Sequence, residues 1–407
     1  MNMLTGLKII TQIGVFSIFL FLATLACHGE LYRLRPAPSK LTSFYLTIAF
    51  GGVIGGIFVN LIAPWIFRGY WELHLSILLC WILILLLQWI SRPSIFESRW
   101  GGELILALMI VLVLSGYLLL SQINTSLTGV LEIQRNFFGV TRVEQVELGQ
   151  PPSTVYKLKH GSTSHGIQFI NEDKSSLPTT YYGEKSGIGL VLTHLEKIGK
   201  PDNPQKNHKI GVIGLGVGTL ATYGQSGDTY RFYEINPHII DLALGQGDYF
   251  SYLADSPAEI EIISGDARLS LERELAIQDN QQFDILVLDA FSSDAIPIHL
   301  LTFQAFELYL EHLKPGGVLA VHISNRYLDL APVVVDLGEQ FHLESMRILS
   351  EQDDQVGSSS AEWVLLSSNR AFFDILEGQG LSSNLVDRGR ETRTWTDDYN
   401  NLIPFLK

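Results

Sequence analysis

The chain has only two cysteines in 407 residues, Cys27 and Cys80, and both fall in apolar runs that read as membrane helices. Such a pair supports neither a disulfide framework nor a zinc site. The eleven histidines form no HExxH or comparable ligand pair, so a metal centre has no support in the spacing. Basic charge is scarce: 28 Lys and Arg stand against 42 Asp and Glu, a formal net charge of −14. A nucleic-acid partner would need a basic face, and this balance argues against one. Acidity suits a cationic substrate, although solubility alone asks for as much. Ion pairs inside the apolar runs, the usual mark of a transport pathway, are also missing.

Long apolar sequence fills the first third. Ile9 to Cys27, Leu41 to Phe67, Leu73 to Ile90 and Leu104 to Leu120 are runs of the kind that crosses a bilayer core of about 30 Å with roughly 20 residues. Four membrane-spanning helices are expected, the third barely long enough and open to a re-entrant or interfacial reading. Ala23-Thr-Leu-Ala26 is followed by more membrane segments, so the first run is not read as a cleavable signal. Gly51-Gly-Val-Ile-Gly-Gly56 suits close helix packing. His28, Glu30, Arg33 and Arg35 form a polar cluster after the first helix, either a site or a solvated loop.

The remainder has the composition of a soluble protein. Val140 to Leu148, Thr154 to Leu158 and His165 to Ile170 alternate apolar and polar residues, which gives a small antiparallel sheet. A helix is expected over Ile188 to Ile198, then a linker over Lys200 to Lys209. Next come strands at Ile210 to Ile213, Thr229 to Tyr233, Glu259 to Ile263, Phe283 to Leu288 and Gly317 to Ile323, with helical segments between. That alternation gives a parallel sheet covered on both faces. The fold class is therefore α/β: a transmembrane helix bundle, a small antiparallel sheet, and a Rossmann-like domain. The expected division is residues 1–125, 126–200 and 201–370 for these three parts, with 371–407 as a C-terminal tail.

The run Ile210-Gly-Val-Ile-Gly-Leu-Gly-Val-Gly-Thr219 breaks from strand into glycines at Gly214, Gly216 and Gly218, so the backbone can approach a ligand where a Cβ would collide. Glu234, which ends the second strand, is spaced to accept hydrogen bonds from both ribose hydroxyls of a nucleoside. A dinucleotide fingerprint would want a third glycine at 219, where Thr219 stands. The GxGxG spacing favours an adenosyl-sulfonium nucleoside over NAD. Ligands in parallel sheets sit beyond the carboxyl ends of the strands, which selects Gly214, Glu234, Asp266 and Asp289. Asp266 is expected to accept from the adenine amino group, with a helix cap as the competing role. Asp289 closes a buried strand, and Ala290 to Pro297 reads as a loop over the site in which Asp294 either caps the loop or contacts substrate.

Orientation follows from two opposed arguments. Arg33, Arg35 and Lys40 after the first helix, with Arg92 and Arg99 after the third, place those loops in the cytoplasm. Four spans would then put the C-terminal domain outside. A nucleoside made in the cytoplasm argues for the domain being inside, and Lys8, Arg68 and Arg135 weaken the charge rule. The cytoplasmic placement is preferred, and an odd number of spans would remove the conflict.

From Arg135 to about Tyr399 the chain resembles the spermidine synthase family of aminopropyltransferases, and in particular its bacterial membrane-fused members. Val287-Leu-Asp289 with Ser292-Ser-Asp294 looks like that family's catalytic loop, two acids flanking a Ser-Ser pair, with two residues inserted here. Gly166-Ile-Gln168 and Tyr181-Tyr182 look like the segments that contact nucleoside and amine. Cys27-His-Gly-Glu-Leu31 and Trp395-Thr-Asp-Asp-Tyr399 resemble the membrane-fused members and have no derived chemical role. The resemblance implies an enzyme of polyamine biosynthesis in which an amine attacks the methylene beside the sulfonium of decarboxylated S-adenosylmethionine, releasing methylthioadenosine. Asp289 would accept the amine's proton. Gly214, Gly216, Gly218, Glu234, Asp266 and Gln168 would hold the nucleoside, and Tyr181, Tyr182 and Asp294 the amine, such as putrescine. No cofactor is tightly bound in this reading; decarboxylated S-adenosylmethionine, or S-adenosylmethionine itself, is a co-substrate.

Two positions depart from the family. Val217 stands where an acid usually pairs with the aminopropyl ammonium, so the loop also resembles that of a methyltransferase. The family's Tyr-His-Glu element reads Tyr181-Tyr182-Gly183-Glu184. The readings are therefore a membrane-anchored aminopropyltransferase, an S-adenosylmethionine-dependent methyltransferase of the same fold, and a non-catalytic nucleoside- or polyamine-binding sensor or transport-coupled module. The expected partners are a small amine, the lipid bilayer of an inner or plasma membrane that the chain crosses several times, and possible further copies of the chain.

Overall fold

The computed structural model describes residues 9–90, 101–161, 163–195, 207–291, 297–378 and 393–407. The chain divides into two compact units, Met1–Thr128 and Gly129–Lys407. In the first unit the apolar runs are helices: Ile9–Arg33, Leu41–Ile57, Trp71–Ile90 and Gly101–Leu127. The second continues through one wide π turn, Phe58–Ile62, into Ala63–Ile66. Pro64 lies just beyond that turn and has no N–H to close a tight helical bond.

Three helices are long and apolar enough to cross a membrane by length and composition: Ile13–Arg33, Pro38–Ile66 and Leu106–Leu127. The third of the four expected spans is the one outside this set. The third run does form a helix, but its apolar stretch among the described residues, Trp71–Leu87, is shorter than the other three. Arg92, Arg99 and Lys8, used in the orientation argument, lie outside the described residues.

The second unit starts with an antiparallel meander of β1 (Val130–Asn136), β2 (Gly139–Leu148), β3 (Ser153–His160) and β4 (Thr163–Phe169). β1 was not anticipated. It is an edge strand whose half-exposed residues show no clean alternation, so it lacks the signal that marked the other three. The helix Gly187–Thr193 follows, its first turn capped by Ser186, which accepts the Gly189 N–H.

Seven strands form the main sheet: β5 (Lys209–Ile213), β6 (Thr229–Glu234), β7 (Glu259–Ser264), β8 (Phe283–Leu288), β9 (Leu313–His322), β10 (Glu344–Ser350) and β11 (Ala361–Ser367). Their order is β10-β11-β9-β8-β5-β6-β7. The five expected strands are parallel, and β11 joins β9 antiparallel, with β10 antiparallel on β11. All six residues of β8 are buried. Ile285 and Val287 pack into one apolar cluster and Leu286 and Leu288 into the other, as a strand covered on both faces requires. Trp395 and Phe405 belong to the second cluster, so the C-terminal segment helps to build the core. From β5 the chain winds to β6 and β7 on one side and to β8 and β9 on the other. In sheets of this kind ligands bind at such a reversal, here at the carboxyl ends of β5 and β8.

Candidate active site

Gly214 and Gly216 follow β5 with φ of +100° and +56°, a region that residues bearing a Cβ rarely occupy. A Cβ on Gly214 would run into the carbonyl oxygen of Asp289, and one on Gly216 would stand 2.6 Å from the carbonyl oxygen of His165. At these two positions the missing side chains let the strand end of β8 and the strand β4 close directly on the loop. Gly218 faces the side chain of Leu253. The loop thus forms the point where three segments of the unit meet.

Glu234, at the end of β6, is buried and ties down the same loop. Its Oε2 accepts the Leu215 N–H at 3.1 Å and its Oε1 the Asn236 N–H at 2.8 Å. Burial pushes its pKa up, while the N–H groups of Asn236, Leu215 and Ile235 pull it back. Acceptor capacity remains on the carboxylate for a ribose hydroxyl. Asp266 caps the helix Ala267–Ala276 by accepting the Leu269 N–H at 3.0 Å, and its other oxygen meets His299 Nε2 at 3.2 Å. The capping role is therefore realised. Both donors of Gln168 are engaged: its nitrogen donates to Ser175 O and Ser251 Oγ, each at 2.9 Å, and its oxygen accepts the Ser251 N–H at 2.8 Å. Those bonds brace β4 against the segment before Tyr252 and leave one lone pair on the amide oxygen.

Asp289 is 8% exposed and sits at the reversal point. Tyr182 donates its hydroxyl to Asp289 Oδ2, and His322 Nδ1 lies 2.6 Å from Oδ1. Burial first, and then the charge of Asp289, push the Tyr181 and Tyr182 pKa values well up, so both phenols keep their protons. Tyr181 stacks on His322 with ring centres 4.4 Å apart and lies 4.5 Å from Tyr182. Tyr181 and Tyr182 thus join Asp289 as expected, whereas Asp294, Ser292 and Ser293 lie outside the described residues.

Two features escaped the sequence reading. His322 ends β9 as Asp289 follows β8, so the strand-end rule points to it equally; it was passed over for being neither glycine nor acid. His165, on β4, is the other. Its Nε2 has no hydrogen-bond partner among the described residues, and its pKa is lowered to about 3, by burial first and then by His160 and His322. It is a neutral ring beside the glycine loop.

Val217 is 1% exposed and packs with Val143, Leu158, Leu242, Phe250 and Tyr252. A Cβ on Gly166 would strike it. The loop position where the family carries an acid is thus turned into apolar packing between the loop and the small sheet.

No family model matches the chain. Over 121 residues it is 31% identical to a probable polyamine aminopropyl transferase of Bifidobacterium longum, covering 28% of this chain and 23% of that protein. Over 115 residues it is 34% identical to an N-terminal histidine N-methyltransferase of Emericella nidulans, covering 28% and 19%. The matches thus span about a quarter or less of these curated relatives. Among solved structures, a probable spermidine synthase from Corynebacterium glutamicum aligns with 67% of this chain and 98% of its own at 14% identity and a TM-score of 0.44. Both curated relatives are named as transferases. The chain is similar to the spermidine synthase-like aminopropyltransferases.

Proposed function

We propose that the protein is a membrane-anchored aminopropyltransferase acting on a small amine, with decarboxylated S-adenosylmethionine as co-substrate. The observation that carries this reading is Asp289, a buried carboxylate held by Tyr182 at the reversal point of the sheet and in backbone contact with the glycine loop. Glu234 would take the ribose hydroxyls with its remaining lone pairs, and the cleft beyond Gly214 and Gly216 would hold the sulfonium end. An amine enters as an ammonium and loses one proton to Asp289. Its nitrogen then attacks the methylene carbon, a C–N bond forms, the C–S bond breaks, and its electron pair returns to sulfur as neutral methylthioadenosine leaves. Sulfonium leaves readily, so orientation and exclusion of water supply most of the acceleration. Asp294 is the second acid of this reading.

Three spans support a cytoplasmic site, because the loop with Arg33, Arg35 and Lys40 and the unit after the last span then fall on the same side of the bilayer. A second reading, methyl transfer from S-adenosylmethionine, is favoured by Val217: buried among apolar side chains, it offers no charge to an aminopropyl ammonium. Calorimetric titration of the full chain in lipid nanodiscs with each nucleoside tests the choice. Tighter binding of the decarboxylated form, with turnover of putrescine, is expected. Tighter binding of the parent, with methylated product, would replace aminopropyl by methyl transfer.

A further inference from the structure

The hydrogen bonds behind Asp289 have a direction that satisfies every member. The Glu362 N–H, fixed by the backbone of β11, donates to Ser324 Oγ at 2.8 Å. Ser324 then has its own proton to give to His322 Nε2, 2.7 Å away. That leaves Nδ1 as the protonated ring nitrogen, donating to Asp289 Oδ1 at 2.6 Å. Tyr182 donates to Oδ2 from the other side. Both ends of the Asp289 carboxylate are therefore oriented by donors, and each oxygen keeps a further lone pair.

The ring is set for two charge states. A serine hydroxyl accepts as well as donates, so a second proton on Nε2 would find Ser324 Oγ in place. The imidazolium so formed would cancel the charge of Asp289 and remove the attraction for an ammonium. The other titratable groups around the ring are Tyr181 and Tyr182, ahead of the helix Gly187–Thr193, and His165 of β4. Trp363 of β11 stacks on the ring at 4.6 Å and Phe291 meets it edge-on at 4.9 Å. The Glu362 carboxylate is paired with Arg347 of β10.

We propose that His322 is a positioning residue: it holds Asp289 as an oriented carboxylate, and only its neutral ring leaves that carboxylate a net charge with which to take a cationic acceptor. This rests on the amine-transfer reading above. The sequence comparisons and the family resemblance give this histidine no role.

Full-length protein in nanodiscs, with putrescine as acceptor and each nucleoside in turn as donor, gives kcat and kcat/KM against pH for the wild type, His322→Asn and His322→Phe. An asparagine amide can replace the Nδ1–H but takes no proton. His322→Asn should keep kcat within about 10-fold. Phenylalanine keeps the stacking and loses the hydrogen bond, so kcat should fall about 100-fold, the lower end of what acid–base groups contribute, with the Kd of the donor unchanged. A His322→Phe protein with wild-type kcat, or two variants equally slow, would overturn the proposal. Nitrogen NMR of histidine-labelled protein separates this result from the fate of the function. An Nδ1-protonated His322 that loses this state in Asp289→Ala supports the positioning role even if no donor turns over, whereas an Nε2-protonated tautomer at neutral pH refutes it.

Discussion

Glu234 and Asp289 end adjacent parts of one sheet and are each 8% exposed, yet they are held by different means. Glu234 accepts backbone N–H groups from Leu215 and Asn236, one of them within the glycine loop itself. Asp289 is held by side chains, Tyr182 from before the first helix of the unit and His322 from the end of β9. The nucleoside side of the cleft is thus built from main chain, which any sequence able to make the turn supplies. The acceptor side is built from side chains brought together across 140 residues (322 − 182 = 140). In the proposed function, backbone donors would fix where a common nucleoside sits, and side-chain donors would leave the acceptor open to change. This division suits a fold that serves more than one transfer reaction.

The largest effect expected is on the acceptor side. Asp289→Asn removes the proton acceptor while keeping the shape of the residue, so transfer should fall by roughly 10²- to 10⁴-fold, the range of general-base contributions. Donor affinity should stay within a few-fold. Product formation in a coupled assay and donor titration of the same protein measure the two separately. Full activity in the variant would remove Asp289 from the chemistry, and an equal loss of donor affinity would erase the distinction between the two sides.

Glu234→Gln tests the nucleoside side. The amide has one accepting end, so one of the two N–H groups now facing carboxylate oxygens would face an NH₂ group. The loop would shift, and the ribose would lose a charge-assisted acceptor worth about 1.5–3 kcal/mol. Donor affinity should fall about 10- to 100-fold, and kcat at saturating donor should change little. Unchanged affinity would place the ribose elsewhere.

The two sides also differ in how far the sequence revealed them. Gly214, Gly216, Gly218 and Glu234 lie within 21 residues of one another (234 − 214 + 1 = 21), so a local pattern carries their geometry. The β5 to β9 strands were legible for the same reason, as short apolar runs between breaks. His322 and Tyr182 acquire their meaning only when the end of β9 and the segment before the helix Gly187–Thr193 meet the end of β8, and no local period marks that. Val217 was seen as a missing acid, but its packing against Val143 and Leu158 depends on the small sheet closing over the loop. β10 and β11 were overlooked although Met346, Ile348 and Trp363 are buried, because the alternation ends in two antiparallel strands that the βαβ pattern does not call for. At Asp266 a local signal for a cap stood beside a functional one, and the cap uses one of its two oxygens.

The smallest effect concerns His165, where the two sides touch. Its carbonyl oxygen lies over Gly216 and its ring interacts with His322. Burial holds its pKa at about 3 in the folded protein against an ordinary value of 6.5, so the unfolded chain takes up a proton that the folded one refuses. The stabilisation is fully present above pH 6.5 and is lost as pH falls toward 3, amounting to about 2 kcal/mol by pH 5. His165→Phe fills similar space with a ring that does not titrate. Unfolding midpoints of the full chain in one detergent at pH 8 and pH 5 should show a smaller acid-induced drop in the variant than in the wild type. Equal drops would mean that His165 titrates alike in both states, and that the ring beside the loop is open to solvent. A smaller drop with unchanged kcat would keep His165 on the structural side of the cleft. A smaller drop accompanied by weaker donor binding would instead make its Nε2, without a partner among the described residues, a side-chain contact to the donor beside that of Glu234.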